Sequence, residues 1–200
     1  MGKAEPVLIT VLRHGEVEGR AQVLRGVGNE VLSQQGWVQM QRILTKVSDT
    51  PFDVVASSPL PRCYQFAAAY AAQKRLSLQQ ISAFRELDFG IWEGFTPAEA
   101  EKRNPEKYLA FRDSLGEHAP PEGESLNQLR MRIAQGWHNW LATECGNHRL
   151  LVTHAGVMRA LLMELFGFTP TQAFQIALPE AACLRISHLQ GKKPFLLSLN

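Results

Sequence analysis

The sequence predicts an α/β protein, and three observations predict it. Residues 7–12, Val-Leu-Ile-Thr-Val-Leu, form a β-branched apolar run of the kind that is buried on both faces of a sheet. Residues 149–153 repeat the pattern far along the chain, and each run stops at a His with a Gly close behind: Arg13-His14-Gly15 and His154-Ala155-Gly156. Segments of helical periodicity lie between the two. In open α/β sheets ligands sit beyond the carboxyl ends of the strands, so Arg13, His14 and His154 stand where a substrate would be met. If the two strands run side by side and parallel, the two histidines face each other.

Composition sets the frame for these elements. The chain has 200 residues, 45% hydrophobic and 20% charged, which suits one domain over residues 1–200 with a sizeable core. Its net charge of +2 comes from Lys and Arg scattered in ones and twos. That pattern gives no basic stripe for nucleic acid and no polybasic tail for a membrane. No run approaches the ~20 apolar residues of a spanning helix, and the first six residues are too short and polar for a signal peptide. A cytoplasmic location is expected. Cys63, Cys145 and Cys183 are odd in number and lack metal spacing, which fits reduced thiols rather than a disulfide framework or a zinc site.

Taken in order, the first strand leads into a Gly-rich connection from Gly15 to Gly28, long enough to be functional or surface. Ser33 is placed to cap a helix whose Trp37, Met40, Leu44 and Val47 make an apolar stripe. Residues 52–56 read as a strand. Ser58 as N-cap and Pro59 as first helical residue then start a helix with Arg62 in its first turn, where positive charge and the helix dipole both attract anions. A short strand is expected near residues 80–82. The loop that follows, residues 84–94, alternates acids with large apolar residues and glycines, and can hold a partly desolvated carboxylate as a general acid. Glu86, Asp88 and Glu93 are all candidates on these grounds.

Thr96-Pro97-Ala98-Glu99 has the form of a capping box, and Asn104-Pro105 starts a further helix, so residues 95–120 read as a small helical cap over the substrate end. Ser125 and Gln128 make another capping box, opening a helix with Leu126, Leu129, Ile133, Trp137, Trp140 and Leu141 on one face and Gly146 expected to end it. Residues 156–166 form a helix stopped by Gly167, and Thr169-Pro170 begins a brief turn of helix. Residues 184–189 and 195–199 read as two strands paired through a turn near Gly191. His118, His138, His148 and His188 are assigned structural or solvated roles.

These motifs carry a resemblance. Leu12-Arg13-His14-Gly15-Glu16, Ser57-Ser58-Pro59-Leu60 with Arg62-Cys63, Glu86-Leu87-Asp88-Phe89-Gly90 with Trp92-Glu93-Gly94, Gly123-Glu124-Ser125, and Val152-Thr153-His154-Ala155-Gly156-Val157 follow one another as in the histidine phosphatase superfamily, the phosphoglycerate mutase-like group. The resemblance spans residues 7 to about 190. It implies a three-layer α/β/α sandwich around a mostly parallel sheet. It also implies a metal-independent phosphomonoesterase without a cofactor, in which His14 takes the phosphoryl group, Arg13, Arg62 and His154 surround the phosphate, and Glu86 is the acid/base. Glu16, Asn29 and Glu93 would be supporting residues. Asn29 stands where Asp is common, as Val17 replaces Thr or Ser and Phe66 replaces Thr. The implied partner is a small phosphate monoester, with a homodimer compatible. A broad-specificity sugar-phosphate phosphatase, a mutase returning phosphate to another hydroxyl, and a non-catalytic phospho-ligand binding module are the alternatives.

Overall fold

The computed structural model describes residues 5–47, 50–143, 146–189 and 191–200. Their order is β1 (Val7–Arg13), α1 (Gln34–Val47), β2 (Val54–Ser57), α2 (Pro61–Lys74), β3 (Ser77–Gln80), α3 (Pro97–Arg103), α4 (Pro105–Asp113), α5 (Leu126–Leu141), β4 (His148–Thr153), α6 (Ala155–Phe166), α7 (Pro170–Phe174), β5 (Cys183–His188) and β6 (Phe195–Leu199). The six strands form one sheet in the order β3-β2-β4-β1-β5-β6. β3, β2, β4 and β1 are parallel, and β5 is antiparallel to both β1 and β6.

Side-chain alternation along the central strands builds the two outer layers. Ile9, Val11 and Leu151 point to one face, against Leu129, Ile133 and Trp140 of α5 and Leu161 of α6. Leu12, Leu150 and Val152 point to the other, against Met40 and Leu44 of α1 and Phe66 of α2. A sheet buried on both sides needs apolar residues at every position, which is why β1 and β4 read as continuous runs. The result is the α/β/α sandwich with a mostly parallel sheet.

Three local expectations are corrected. Ser58 does not cap α2: the N-cap is Leu60 and the first helical proline is Pro61, because the Ser58 hydroxyl instead accepts from Leu60 N–H and meets His154. β3 ends at Gln80, and residues 82–84 form a 3₁₀ turn. α5 ends at Leu141, well before Gly146, since Arg149 reaches its last turn and donates to the carbonyls of Trp140 and Thr143, each at 2.8 Å. The expected caps at Ser33, Thr96 and Ser125 are made, and the helical turn expected at Thr169-Pro170 is α7, capped by Thr169. Among the described residues no helix is long and apolar enough to cross a membrane.

Candidate active site

The register pairs Arg13 with Thr153, so the next residues, His14 and His154, leave the sheet together at the carboxyl edge. Their ring centroids are 5.3 Å apart and the planes make 65°. His14 N–H donates to Thr153 O at 2.9 Å, and its ring Nδ1 lies 2.8 Å from Gly15 O. A carbonyl only accepts, so Nδ1 carries the hydrogen and Nε2 keeps a free lone pair. Burial, and then the charge of Arg62, hold the imidazole pKa down to about 3 from 6.5. The ring is therefore neutral at pH 7. Gly15 is required by contact: a Cβ there would lie 2.4 Å from Gly36 O at the start of α1.

Arg62 and His154 are fully buried, His154 against the His14 ring, and neither is part of the cavity wall. Arg62 donates through Nη1 to Gly28 O at 2.9 Å and through Nη2 to Gly26 O, and pairs with Glu30 at 3.5 Å. His154 Nε2 is 2.7 Å from Ser58 Oγ. Burial first, then Arg62 and His14, push its pKa well below the ordinary value. Cys63 packs under the same ring, 3.6 Å from Nε2, and burial pushes its thiol pKa up, so it stays protonated. Cys183 is buried likewise and pushed up to about 12, and Cys145 lies outside the described residues. Arg13 donates to Leu178 O. The Nε–H groups of Arg13 and Arg62 are buried with no acceptor among the described residues, which makes them suited to anionic oxygen.

The three acidic candidates separate clearly. Glu86 lines the cavity, 8% exposed, with its carboxylate accepting from Leu87 N–H at 2.9 Å and Gly156 N–H at 3.0 Å. Glu93 turns away and accepts from the backbone N–H groups of Gly26, Val27 and Phe89, each near 3 Å. It thus holds the loop whose carbonyls receive Arg62. Asp88 is spent on Gly90 N–H at 2.8 Å. Glu16 accepts from Ser33 Oγ at 2.6 Å, at the entry to α1. Asn29 is exposed and outside the cavity wall.

The cavity, about 330 Å³, has Arg13, His14 and Glu86 at its inner end. Phe89, Phe111, Leu115, Leu126, Leu129 and Phe174 make an apolar wall, and Arg25, Arg112 and Arg159 add positive charge. A larger groove of about 990 Å³ between α1 and α2 contains none of the candidate residues. Arg25, Arg159 and Arg132 were not foreseen. Arg159 is the one cation in α6, one turn beyond Gly156 and among buried apolar residues, and that isolation was a readable signal. Its guanidinium lies 5.1 Å from the Phe174 ring centre, and its Nε–H is buried without an acceptor among the described residues. A neutral imidazole with an open nitrogen, several guanidinium donors and a carboxylate can together perform nucleophilic displacement at phosphorus.

Comparisons with known proteins point the same way. Residues 9–200 match the family model of the histidine phosphatase superfamily (branch 1). A bifunctional protein of Mycobacterium tuberculosis is 31% identical over 162 residues, 80% of this chain but 44% of that protein, so the chain spans less than half of that relative's length. Phosphoserine phosphatase 1 of Hydrogenobacter thermophilus is 26% identical, covering 97% of this chain and 92% of its own. The adenosylcobalamin/alpha-ribazole phosphatase of Escherichia coli K-12 is 26% identical over 82% of this chain and 80% of its own. The crystal structure of the alpha-ribazole phosphatase from Shigella flexneri superposes with a TM-score of 0.86 at 23% identity, covering 96% of this chain and 96% of that one.

Proposed function

The chain belongs to the histidine phosphatase superfamily, and from that premise we propose that it is a metal-independent phosphomonoesterase acting through a phosphohistidine at His14. The observation that carries the proposal is the Nδ1 contact to Gly15 O, which leaves a neutral His14 with its Nε2 lone pair free. Nε2 attacks phosphorus and the ester P–O bond breaks. The leaving oxygen takes a proton from Glu86. Water then attacks the phosphohistidine, giving its proton to Glu86, and phosphate departs with His14 neutral again. Arg13, on the cavity wall, meets the nonbridging oxygens, and Arg62, whose buried Nε–H has no acceptor among the described residues, is assigned to them as well, with His154 beside His14; fixed guanidinium donors supply this without a metal.

The substrate read from this site is α-ribazole 5′-phosphate, in the assembly of the cobalamin nucleotide loop in the cytoplasm. Its support is the aromatic wall of Phe89, Phe111 and Phe174, which suits a flat heterocyclic leaving group, together with the name of the Escherichia coli relative. Arg159 favours a second reading. Its partnerless Nε–H would take a carboxylate or second phosphate, as in a phosphatase of acidic sugar phosphates or a phosphotransferase of the phosphoglycerate mutase type.

The test is phosphate release, with chelator present, from α-ribazole 5′-phosphate, a panel of sugar phosphates, phosphoserine and phosphoglycerates. His14→Ala should abolish turnover and the acid-labile phosphoenzyme on every substrate. Preference for α-ribazole 5′-phosphate supports the first substrate, and preference for acidic esters the second. Turnover that survives in His14→Ala sinks the covalent mechanism.

A further inference from the structure

We propose that Arg132 and Glu124 form a positioning clamp for the general acid, fixing the main chain of residues 83–86 so that the Glu86 carboxyl meets the leaving-group oxygen; this rests on the reading of Glu86 as proton donor. The segment from residue 81 to residue 95 belongs to no strand and no α-helix, only to two 3₁₀ turns at Ser82–Phe84 and Gly90–Trp92. Backbone N–H groups meet several of its carbonyls, but those of residues 83–86 are met by side chains. Arg132 takes three of these four. Its Nη1 donates to Ala83 O at 2.7 Å and Arg85 O at 2.8 Å, and its Nη2 to Glu86 O at 2.9 Å. The Thr153 hydroxyl takes the remaining one, Phe84 O, at 2.9 Å.

The other two donors of Arg132 form a bidentate pair with Glu124, at 2.6 and 2.7 Å, so all five of its N–H groups are engaged. Glu124 N–H in turn donates to Asp88 O at 2.8 Å, tying the far end of the same loop. Glu86 is thus fixed twice, its carbonyl by Arg132 and its carboxylate by Gly156 N–H at the start of α6. Neither Arg132 nor Glu124 lines the cavity, so neither touches the substrate; the Arg132 charge also reaches His154, and Arg132→Lys keeps that charge while breaking the fork. Lysine has three donors on a single point and cannot reproduce a five-bond fork. Misplacing a catalytic group by about 1 Å can cost on the order of 10²-fold in rate.

A pair that served only stability would lower the reactivity of all substrates together. A clamp on the proton donor predicts dependence on the leaving group. The test is kcat/KM for 4-nitrophenyl phosphate, whose phenolate departs without a proton, beside the best alkyl phosphate of the panel above. This constant ends at ester cleavage, so hydrolysis of the phosphohistidine does not enter it. Glu86→Gln should lower the alkyl value by about 10²–10⁴-fold and the aryl value far less. Arg132→Lys should lower the alkyl value by about tenfold or more, again sparing the aryl ester, with little added in the Glu86→Gln background. Glu124→Gln should give the same split more weakly, and it carries the test should Arg132→Lys not fold. Equal losses on both esters in the folded variants, while Glu86→Gln separates them, would overturn the clamp. If Glu86→Gln separates nothing, the proton-donor reading falls first and the clamp with it.

Discussion

At the scale of one residue, the property that matters most is the neutrality of His14. Its pKa of about 3 reflects burial, then Arg62. The unfolded chain, with His14 near 6.5, therefore binds a proton between these two values that the folded chain refuses. Stability must rise with pH across that window and fall on acidification, with the full cost present below about 3. His154, shifted in the same direction, adds to the slope. Urea midpoints taken from pH 7 down to pH 4 should show wild type losing stability as pH drops, and His14→Gln losing measurably less. Parallel curves would mean that His14 does not contribute to the acid limit. The same burial keeps the nucleophile ready: an imidazole already deprotonated needs no separate base to attack phosphorus.

Elements place these residues, and their ends do most of the placing. Glu86 meets the first turn of α6 through Gly156, where a Cβ would come 2.2 Å from Glu86 Oε1. Gly156→Ala should thus fold, since Ala is a better helix former than Gly, yet displace the carboxylate. The expected result is an unaltered circular dichroism spectrum with kcat/KM on an alkyl phosphate down by about tenfold or more. Full activity would show that the carboxylate has room to move. Which parts of this were readable from sequence follows from what each depends on. The capping boxes at Thr96 and Ser125 depend on residues three apart, so local pattern suffices, and Thr169 with Gln172 forms another of the same kind, where only a helix start is expected from sequence. Ser58 has the chemistry of a cap, but its partner is His154, 96 positions away, and no local pattern contains that. Arg132 is similar: it lies beside the apolar stripe of α5, between Leu129 and Gly136, and its role exists only once residues 83–86 are folded beneath it. The placing of Arg13, His14 and His154 together was legible because each ends a strand, whereas Glu86, in a segment outside any strand, is set apart from Asp88 and Glu93 only by the direction of each side chain.

On the scale of the whole molecule, the sheet edge brings Arg13 and His14 to the cavity and α4 brings Phe111 and Arg112. α3 and α4 fold around a cluster of their own, with Trp92, Ala100 and Tyr108 buried together. Trp92 Nε1 donates to Asn104 Oδ1 at 3.1 Å. Phe111 on α4 joins the two regions: its ring is 5.6 Å from Trp92 on the cap side and 6.1 Å from Phe89 on the cavity side, and it also packs on the core under α5 and α6. Chemistry on the sheet and selection by the cap should therefore separate in a single variant. Phe111→Ala removes apolar wall from the leaving-group end but touches neither His14 nor Glu86. Losing such a contact is worth roughly 1–2 kcal/mol, or about 5–30-fold in affinity. KM for α-ribazole 5′-phosphate should rise by that factor with kcat changed little, and KM for a small ester such as glycerol phosphate should rise much less. Equal shifts for both esters would place the leaving group away from α4 and return the choice of substrate to Arg25 and Arg159.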